Sequence, residues 1–173
     1  MSIETNAVLP DSVAEQLRAS FLSQVDAPGS TITESAVALR FSIARPTARL
    51  AIDKLVSDGL LRRELHSAAR VPELSRDDIV DLFDNRAVIE SAAMAALVGS
   101  GTIPAEALAA HRAFNTSDGF AQHDIAFHRS LVAGQPSPRL TRMHTPLMGE
   151  IELCIGQVQA AQLLTAAEVA TQH

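Results

Sequence analysis

The fold is decided by residues 32–71, which read ITESAVALRFSIARPTARLAIDKLVSDGLLRRELHSAARV. A short apolar-periodic segment that Thr33 can cap comes first, and a second segment with Pro46 in its first turn ends at Gly59. A basic run follows, and then a short return that ends at Val71. Two helices joined by a turn and followed by a small hairpin are the layout of a winged helix-turn-helix, so we expect this stretch to contact DNA.

Two arginines lie four residues apart at the start of the second of these helices. Arg45 and Arg49 share one helical face, and an Arg side chain in the major groove can bond O6 and N7 of guanine together. Thr47 is placed for a phosphate or a thymine methyl group. The alternative is a solvated helix face in which Arg49 pairs with Asp53 one turn later.

Further basic residues flank this predicted recognition helix. His66 lies at the tip of the wing, where a side chain can enter the minor groove. Four arginines are suited to hold the phosphate backbone, namely Arg40, Arg62, Arg63 and Arg70. The sequence thus predicts a DNA-contacting set that extends from the helix to the wing.

The charge of the chain is unevenly distributed. The whole sequence has a net charge of −6, which by itself argues against nucleic-acid binding. Residues 40–70, however, hold seven cations against three carboxylates, whereas residues 73–173 hold 6 basic and 12 acidic residues. A locally basic surface on an acidic chain is what phosphate contact requires. We therefore predict a domain that binds double-stranded DNA at residues 1–72 and a second domain with a separate task at residues 73–173.

The composition favours helices. The sequence is 47% hydrophobic but only 3% aromatic, without Trp or Tyr. This balance suits helices packed through small residues better than a β-sandwich. The single cysteine, Cys154, excludes an internal disulfide and suits a reducing cytoplasm, and every apolar run is too short to span a membrane. The prediction is a mainly α, cytoplasmic chain with a winged helix-turn-helix followed by an antiparallel helical bundle.

Capping patterns predict where the neighbouring helices begin. The run from Ser12 to Glu15 has the form of a capping box, which predicts a first helix at about residues 12–24. The run from Ser75 to Asp78, just after the boundary at Pro72, predicts the start of a long helix in the second domain.

The second domain contains a carboxylate and an imidazole one helical turn apart. Asp124 and His128 fall on one face of a predicted helix, a spacing that lets both side chains bind one divalent ion. A surface Asp–His pair without a metal is the alternative. His111, His123 and His144 have no partner at metal-binding spacing, and we expect surface roles for them.

Residues 32–72 resemble the winged helix-turn-helix of the GntR family of bacterial transcription regulators. The family pattern is Leu-Gly-Val-Ser-Arg-x-Pro-Val-Arg-x-Ala-Leu, then Glu-Gly-Leu-Val, then a glycine-bearing wing that ends in Ala-Arg-Val. Similar residues stand here at 41–52, 58–61 and 69–71. Both family arginines fall on Arg45 and Arg49, which supports their assignment to base contacts.

The chain departs from that pattern in three places. Ala44 replaces the usual Ser cap, Pro46 comes one position early, and His66 and Ala68 replace the wing glycines. These changes should weaken capping and alter the shape of the wing. We therefore expect the operator preference to differ from that of relatives.

Residues 73–173 resemble the all-helical effector domain of the FadR-type subgroup of the same family. The resemblance rests on Ser75-Arg76-Asp77-Asp78-Ile79, on Arg86 and Glu90, and on Asp-x-x-Phe-His at residues 124–128. In the subgroup that last motif supplies two metal ligands, and later helices supply two more histidines. The resemblance places His173 as the third ligand. Because the sequence ends there, we expect either a truncated chain or a site that is completed differently.

The resemblance also implies what the second domain binds. A divalent metal, Zn²⁺ or Ni²⁺, held by Asp124, His128 and His173 would in turn hold a small carboxylate effector. Arg86 could add a bidentate contact to that carboxylate, or could instead pair with Glu90 within its own helix.

Taken together, these features predict a transcription regulator without catalytic residues. We expect a homodimer on a pseudo-palindromic operator, because one recognition helix reads only a few base pairs. One alternative is a metal-dependent enzyme built on a helical bundle, with residues 1–72 as an adaptor. A second is a helical interaction module that does not bind DNA.

Overall fold

A computed structural model of the chain describes residues 9–113 and 120–160. The chain divides into two compact units, residues 1–73 and 74–173. Within the described residues the structure has seven helices and one two-stranded antiparallel sheet, so the fold class is mainly α as predicted. None of the described helices combines the length and the apolar character that crossing a membrane requires.

The first unit is a three-helix cluster with a small sheet. Helices α1 and α2 both pack against α3, and their buried side chains include Leu17, Phe21, Ile52 and Leu55. The elements in chain order are α1 (Pro10–Leu22), β1 (Thr31–Ile32), α2 (Glu34–Phe41), α3 (Arg45–Ser57) and β2 (Ala69–Arg70).

Helix α1 begins earlier than the sequence pattern predicts. The predicted capping box at Ser12 is wrong, because the N-cap is Leu9 and no side chain caps the helix there. Pro10 occupies the first turn, where its missing N–H leaves no helical hydrogen bond unmade and its fixed φ suits a helix start. The proline therefore sets the start of α1 two residues before Ser12.

The turn between α2 and α3 sets where α3 begins. Thr33 caps α2 by accepting a hydrogen bond from the backbone N–H of Ala36, as predicted. Helix α2 ends at Ser42, which adopts a left-handed conformation with φ 52°. The N-cap of α3 is Ala44, which has no side chain able to cap, and Pro46 lies in the first turn. The first turn of α3 therefore leaves its backbone N–H groups without a side-chain cap.

The predicted wing is present as a short antiparallel arrangement. β1 pairs with β2, with Thr31 opposite Arg70 and Ile32 opposite Ala69. Arg62 joins this sheet through two backbone hydrogen bonds with Arg70, of 2.9 and 2.8 Å. The wing is thus the return from Arg62 to Arg70, and it is fixed to the start of α2 through β1.

The second unit consists of four helices. Helix α4 opens with a reciprocal capping box, in which the Ser75 hydroxyl accepts from the N–H of Asp78 and the Asp78 carboxylate accepts from the N–H of Ser75. It ends at Gly101, whose φ of 65° is a conformation that glycine adopts without strain. The helices are α4 (Arg76–Ser100), α5 (Ala105–Ala113), α6 (Phe120–Ala133) and α7 (Pro138–Ala160).

The core of the second unit lies between α4, α6 and α7. Leu82, Ile125, Met148 and Ile151 form its buried centre. Helix α5 packs against α6, and α7 packs against both α4 and α6. This packing brings the inner faces of α4, α6 and α7 together, and the polar residues described below lie on those faces.

Candidate DNA interface and effector site

The N-terminal turn of α3 exposes the predicted base-reading arginines. Arg45 is the first residue of the helix and is exposed, and none of the described carboxylates forms an ion pair with it. Arg49 lies one turn later and is also exposed. Its Nε lies 3.7 Å from Asp53 Oδ2 and 4.0 Å from Glu34 Oε1. The pairing with Asp53 that the sequence left open is therefore formed, and it keeps Arg49 on the outer face.

The carboxylate of Asp53 is shared between two arginines. Arg63 Nη1 donates to Asp53 Oδ1 at 2.7 Å, beside the contact between Asp53 and Arg49. Since these groups are largely exposed, each pair contributes little to the stability of the unit. Their main effect is to hold Arg49 and Arg63 near one another at the same edge of α3. Thr47, which lies between Arg45 and Arg49 in the sequence, is half-buried and projects from a different side of α3.

Arg40 is engaged within the first unit. Its guanidinium donates to Asp26 Oδ2 at 2.7 Å and to Ser20 Oγ at 3.1 Å, and it lies over the ring of Phe41. Burial by itself raises the pKa of Asp26, but the hydrogen bonds from Ser20 and Arg40 outweigh it and leave the pKa below its usual value. Arg40 therefore braces α2 against the end of α1, and a phosphate contact would have to compete with Asp26.

The wing places two arginines directly opposite one another. Arg62 and Arg70 are a hydrogen-bonded pair across the strands, so their side chains project from the same face. Like charges in this position repel each other unless an anion lies between them. Arg62 and Arg70 line a surface depression together with Glu64 and Glu73, and these two carboxylates supply part of the compensating negative charge.

His66 occupies the tip of the wing. It is exposed and has a φ of 63°, a left-handed conformation that glycine would adopt at less cost. His66, which stands where the family pattern has a glycine, is therefore exposed on a backbone conformation that costs a histidine more than a glycine. All eight residues predicted to contact DNA lie in the first unit, with Arg45, Thr47 and Arg49 on α3 and His66 and Arg70 on the wing.

The second unit contains a buried cluster of charged and imidazole side chains. Asp124, His128, Glu90 and His144 are each less than one-tenth exposed. His128 Nε2 lies 3.3 Å from Asp124 Oδ1, which is the predicted contact one turn apart on α6. The surface position that was the alternative for this pair is therefore wrong.

Glu90 joins the three helices of this cluster. Its Oε2 accepts from His128 Nδ1 at 2.9 Å, and its Oε1 lies 3.1 Å from His144 Nε2 and 3.2 Å from Arg86 Nε. Burial alone would raise the pKa of Glu90, but the hydrogen bonds from His128 and His144 and the charges of His128 and Arg86 lower it to about 2. Glu90 is thus a carboxylate held in its charged form.

Arg86 lies across the face of the cluster. Its guanidinium contacts both ring nitrogens of His128 and lies 4.0 Å from Asp124 Oδ2. The predicted intrahelical pair with Glu90 is formed as well. Arg86 is therefore the main cation of a site that contains two carboxylates.

The pKa of His128 reflects the same contacts. Burial alone lowers the pKa of this imidazole, and Arg86 acts in the same direction. The hydrogen bonds to Asp124 and Glu90 and the charge of Glu90 outweigh both, so the pKa of His128 lies above its ordinary value. These contacts therefore favour a positive charge on His128.

Sequence reasoning missed two members of this cluster. The expectation that His144 lies on the surface is wrong, since its side chain is 2% exposed. A signal was present, because His144 precedes Met148 and Ile151 by four and seven residues and so shares their buried face. Glu90 likewise falls in the helical spacing of the buried residues Leu82 and Leu97.

The described part of the site supplies two of the three predicted metal ligands. Asp124 Oδ1 and His128 Nε2 are 3.3 Å apart, and two ligands of one tetrahedral or octahedral ion at about 2.1 Å lie about 3.0–3.4 Å apart. His173 lies outside the described residues. Within residues 9–113 and 120–160 no group of three or more His, Cys, Asp or Glu has the geometry to hold a metal. The described residues therefore supply two side chains at ligand spacing and not a complete metal site.

Two family models match the sequence. The model described as bacterial regulatory proteins of the gntR family matches residues 9–71, and the FCD domain model matches residues 81–173. The first match covers the helix-turn-helix and the wing, and the second covers most of the four-helix unit with the buried cluster.

The chain is also similar to individual bacterial transcription regulators. The gluconate operon transcriptional repressor of Bacillus subtilis (strain 168) is 26% identical over 128 residues, which are 69% of this chain and 52% of that protein. The chain thus spans about half the length of this curated relative. The crystal structure of a GntR transcriptional regulator from Rhodococcus sp. RHA1 has a TM-score of 0.65 at 25% identity, covering 93% of this chain and 81% of that one. The E. coli McbR/YncC structure has a TM-score of 0.61 at 18% identity, covering 88% and 76%, and shares the fold.

Proposed function

Because the chain belongs to the GntR family of bacterial regulatory proteins and carries an FCD domain, we propose that it is a DNA-binding transcription regulator controlled by a small carboxylate effector. The observation that carries the DNA-binding part is the exposed first turn of α3. There Arg45 and Arg49 project one helical turn apart from a helix whose other face is buried. That geometry suits bidentate contacts to guanine in the major groove.

The wing supports the same proposal. Arg62 and Arg70 lie opposite one another at its base, and His66 extends from its tip. A phosphate beside the two arginines would relieve their mutual repulsion, and the contact would be independent of the base sequence. The helix would therefore read the operator while the wing fixes the position of the unit on the DNA.

The test of DNA binding begins with selection of a preferred duplex from a random pool. Arg45→Ala and Arg49→Ala are each expected to weaken binding to that duplex by about 1–3 kcal/mol in an anisotropy titration, with relaxed sequence preference. Arg139→Ala, an exposed arginine at the start of α7, removes the same charge from the second unit and is the control. Equal affinities for all three variants and the wild type would contradict the proposal.

The effector part of the proposal rests on Arg86. This guanidinium lies in a largely buried site, where a bidentate contact to a carboxylate is stronger than at the surface. It contacts Glu90 and Asp124, so an effector carboxylate would have to replace those contacts. A site in which a cation changes partners between two states is suited to regulation rather than catalysis.

We also propose that Asp124 and His128 hold a divalent ion, Zn²⁺ or Ni²⁺, with His173 as a third ligand. The ion would supply an open coordination position for the effector carboxylate. Arg86 contacts His128 Nε2, so the guanidinium and the ion compete for the same position. Arg86→Met is therefore expected to raise the affinity for Zn²⁺ in a chelator competition, and His128→Gln to lower it. A lower Zn²⁺ affinity in Arg86→Met would show that Arg86 does not compete with the ion.

A homodimer is proposed because a single recognition helix reads too few base pairs for an operator. The exposed side of α4 supports this proposal, since residues 91–100 carry no charged side chain and Val98 is 81% exposed. Val98→Glu is expected to shift sedimentation towards the monomer. Leu39→Glu, at an equally exposed apolar position of α2, is the control. A wild-type chain that sediments as a monomer would contradict the proposal.

A further inference from the structure

Two members of the buried cluster have no role of their own in the function proposed above. Glu90 on α4 and His144 on α7 are both less than one-tenth exposed, and Oε1 of Glu90 lies 3.1 Å from Nε2 of His144. A buried carboxylate requires hydrogen-bond donors to offset its loss of hydration. His144, a residue of another helix, provides one such donor and so fixes the position of Glu90.

The other oxygen of Glu90 faces His128. Oε2 of Glu90 lies 2.9 Å from His128 Nδ1, and Asp124 Oδ1 lies 3.3 Å from His128 Nε2. A neutral imidazole has one proton, and these two carboxylates compete for it. The shorter contact favours the proton on Nδ1. Arg86 Nη2, a donor that contacts Nε2, favours the same tautomer, and the lone pair of Nε2 then faces Arg86 and Asp124.

We propose that Glu90, anchored by His144, is a positioning residue that keeps the proton of His128 on Nδ1 and directs Nε2 towards the ligand side of the site. The part that concerns the metal rests on the function proposed above, whereas the protonation pattern of the ring does not.

The physical reason is the way histidines bind metals. Only a deprotonated ring nitrogen can coordinate an ion, and a carboxylate that accepts from the other nitrogen fixes both the tautomer and the ring orientation. Glu90 has this relation to His128, and Asp124 lies on the opposite side of the ring. Glu90 accepts hydrogen bonds from both histidines and from Arg86, so it acts as an acceptor and not as a ligand.

The first experiment measures the tautomer directly. Long-range ¹H–¹⁵N spectra of the metal-free protein are recorded at alkaline pH, where His128 is neutral. The wild type is expected to show the Nδ1–H pattern for His128. Glu90→Leu, which removes the acceptor, is expected to show the Nε2–H pattern, with the proton on the side of Asp124. Glu90→Gln keeps the shape with a weaker acceptor, so it is expected to show a mixture and serves if Glu90→Leu does not fold.

The second experiment measures Zn²⁺ affinity by competition with a chromophoric chelator. Loss of an outer carboxylate of this kind typically costs about 10- to 100-fold in metal affinity, and this is the expected loss for Glu90→Leu. His144→Leu removes the anchor of Glu90 and is expected to weaken affinity less. His144→Gln, whose amide nitrogen can replace Nε2 as a donor, is expected to restore it.

Glu152→Gln is the matched control for these variants. Glu152 is a buried carboxylate on α7 that pairs with Arg129, so its substitution perturbs the same unit to a similar extent. It is expected to leave the tautomer of His128 and the Zn²⁺ affinity as in the wild type.

The outcomes separate this inference from the proposed function. A wild-type tautomer in both Glu90 variants would overturn the inference, whether or not the protein binds metal. If the wild type does not bind Zn²⁺ but Glu90→Leu shifts the proton to Nε2, the metal proposal fails and the positioning role of Glu90 stands. If His144→Leu lowers the Zn²⁺ affinity and His144→Gln does not restore it, the anchoring role of His144 is wrong.

Discussion

At the scale of single residues, two carboxylates lie beside the arginines of α3 that we propose read DNA. Arg49 is in contact with Glu34 and Asp53, so any contact between Arg49 and DNA requires it to leave these carboxylates. Exposed pairs of this kind contribute about 0.2–1 kcal/mol. The bases and phosphates can outcompete them, but the competition lowers the observed affinity.

The first prediction follows from that competition. Glu34→Gln is expected to strengthen binding to the selected duplex by about 1.5- to 5-fold, because it releases Arg49 and removes a negative charge beside the recognition helix. The measurement is an anisotropy titration at low salt. Glu15→Gln removes the same charge from a pair with Arg18 on α1 and is the control. Weaker binding by Glu34→Gln would show that Glu34 holds Arg49 in its reading position.

The second prediction concerns Glu90 and acid stability. The pKa of Glu90 is lowered from 4.5 to about 2 in the folded chain, so its contribution to stability is present above about pH 4.5 and is lost as the pH falls towards 2. The pKa of His128 is raised, so its contribution is present below about pH 6.5 and is lost as the pH rises through the folded value. Both contributions are therefore fully present only between about pH 4.5 and 6.5.

The full shift of Glu90 corresponds to about 3 kcal/mol. Denaturant unfolding with a chelator present is expected to show that the wild type loses much of this stability between about pH 5 and pH 3. Glu90→Gln is expected to be less stable at pH 5 and to lose less between the two pH values. If Glu90→Gln loses as much unfolding free energy between pH 5 and pH 3 as the wild type does, another carboxylate is responsible for the loss.

The residues of the site differ in how far the sequence could reveal them. Arg45, Arg49, Asp124 and His128 follow motifs with fixed spacing, so their faces could be predicted without a structure. The contact between Glu90 and His144 could not, because these residues are 54 positions apart and meet only when α4 packs against α7.

At the scale of helices, one close contact determines the packing of α5 against α6. Gly134, just after α6, faces Pro104 at the start of α5. A Cβ added to Gly134 would lie 2.7 Å from the Cβ of Pro104 and closer still to its Cγ. The ring of a proline cannot rotate away, so α6 must end in a residue without a side chain at this position.

The third prediction compares two glycines. Gly134→Ala is expected to lower the free energy of unfolding by about 1–3 kcal/mol, because α5 or α6 must shift. Gly99→Ala, within α4, is the matched control, since a Cβ there meets nothing within 4 Å. This control is expected to raise the free energy of unfolding by about 0.5–1 kcal/mol through helix propensity. Equal effects of the two substitutions in urea unfolding would contradict the proposed clash.

Helix boundaries could be predicted where one local signal dominates. The capping box at Ser75 and the terminal glycine at Gly101 define α4 as expected. At the start of α1 two signals compete, and Pro10 determines the boundary instead of the capping pattern at Ser12. Sequence alone does not rank such signals, since their difference is below about 1 kcal/mol and packing decides between them.

At the scale of the whole molecule, the two units differ in charge. Residues 1–73 hold 8 basic and 9 acidic residues, and the predicted DNA-contacting set lies there, whereas residues 74–173 hold 6 basic and 11 acidic residues. Salt screens charges farther apart than about 8–10 Å, so the acidic unit weakens DNA binding mainly at low ionic strength. If DNA binds to the first unit and the ligand to the second, regulation requires that ligand binding changes the affinity of the first unit for DNA.

The fourth prediction is that this coupling is reciprocal. If Zn²⁺ bound at Asp124 and His128 changes the affinity for DNA by some factor, saturating DNA must change the affinity for Zn²⁺ by the same factor. A coupling of about 1–3 kcal/mol, or 5- to 150-fold, is the usual size. The two factors are measured separately, by anisotropy with and without Zn²⁺ and by chelator competition with and without the selected duplex.

Asp124→Ala is expected to abolish both factors and to leave the DNA affinity of the metal-free protein unchanged, because Asp124 lies in the other unit from α3. Glu106→Ala, an exposed carboxylate of α5, is the control and should retain both factors. Identical DNA affinities with and without saturating Zn²⁺ would show that the metal does not regulate DNA binding. The coupling would then have to come from the effector carboxylate at Arg86, and titration of small dicarboxylates against wild type and Arg86→Met would test that remaining route.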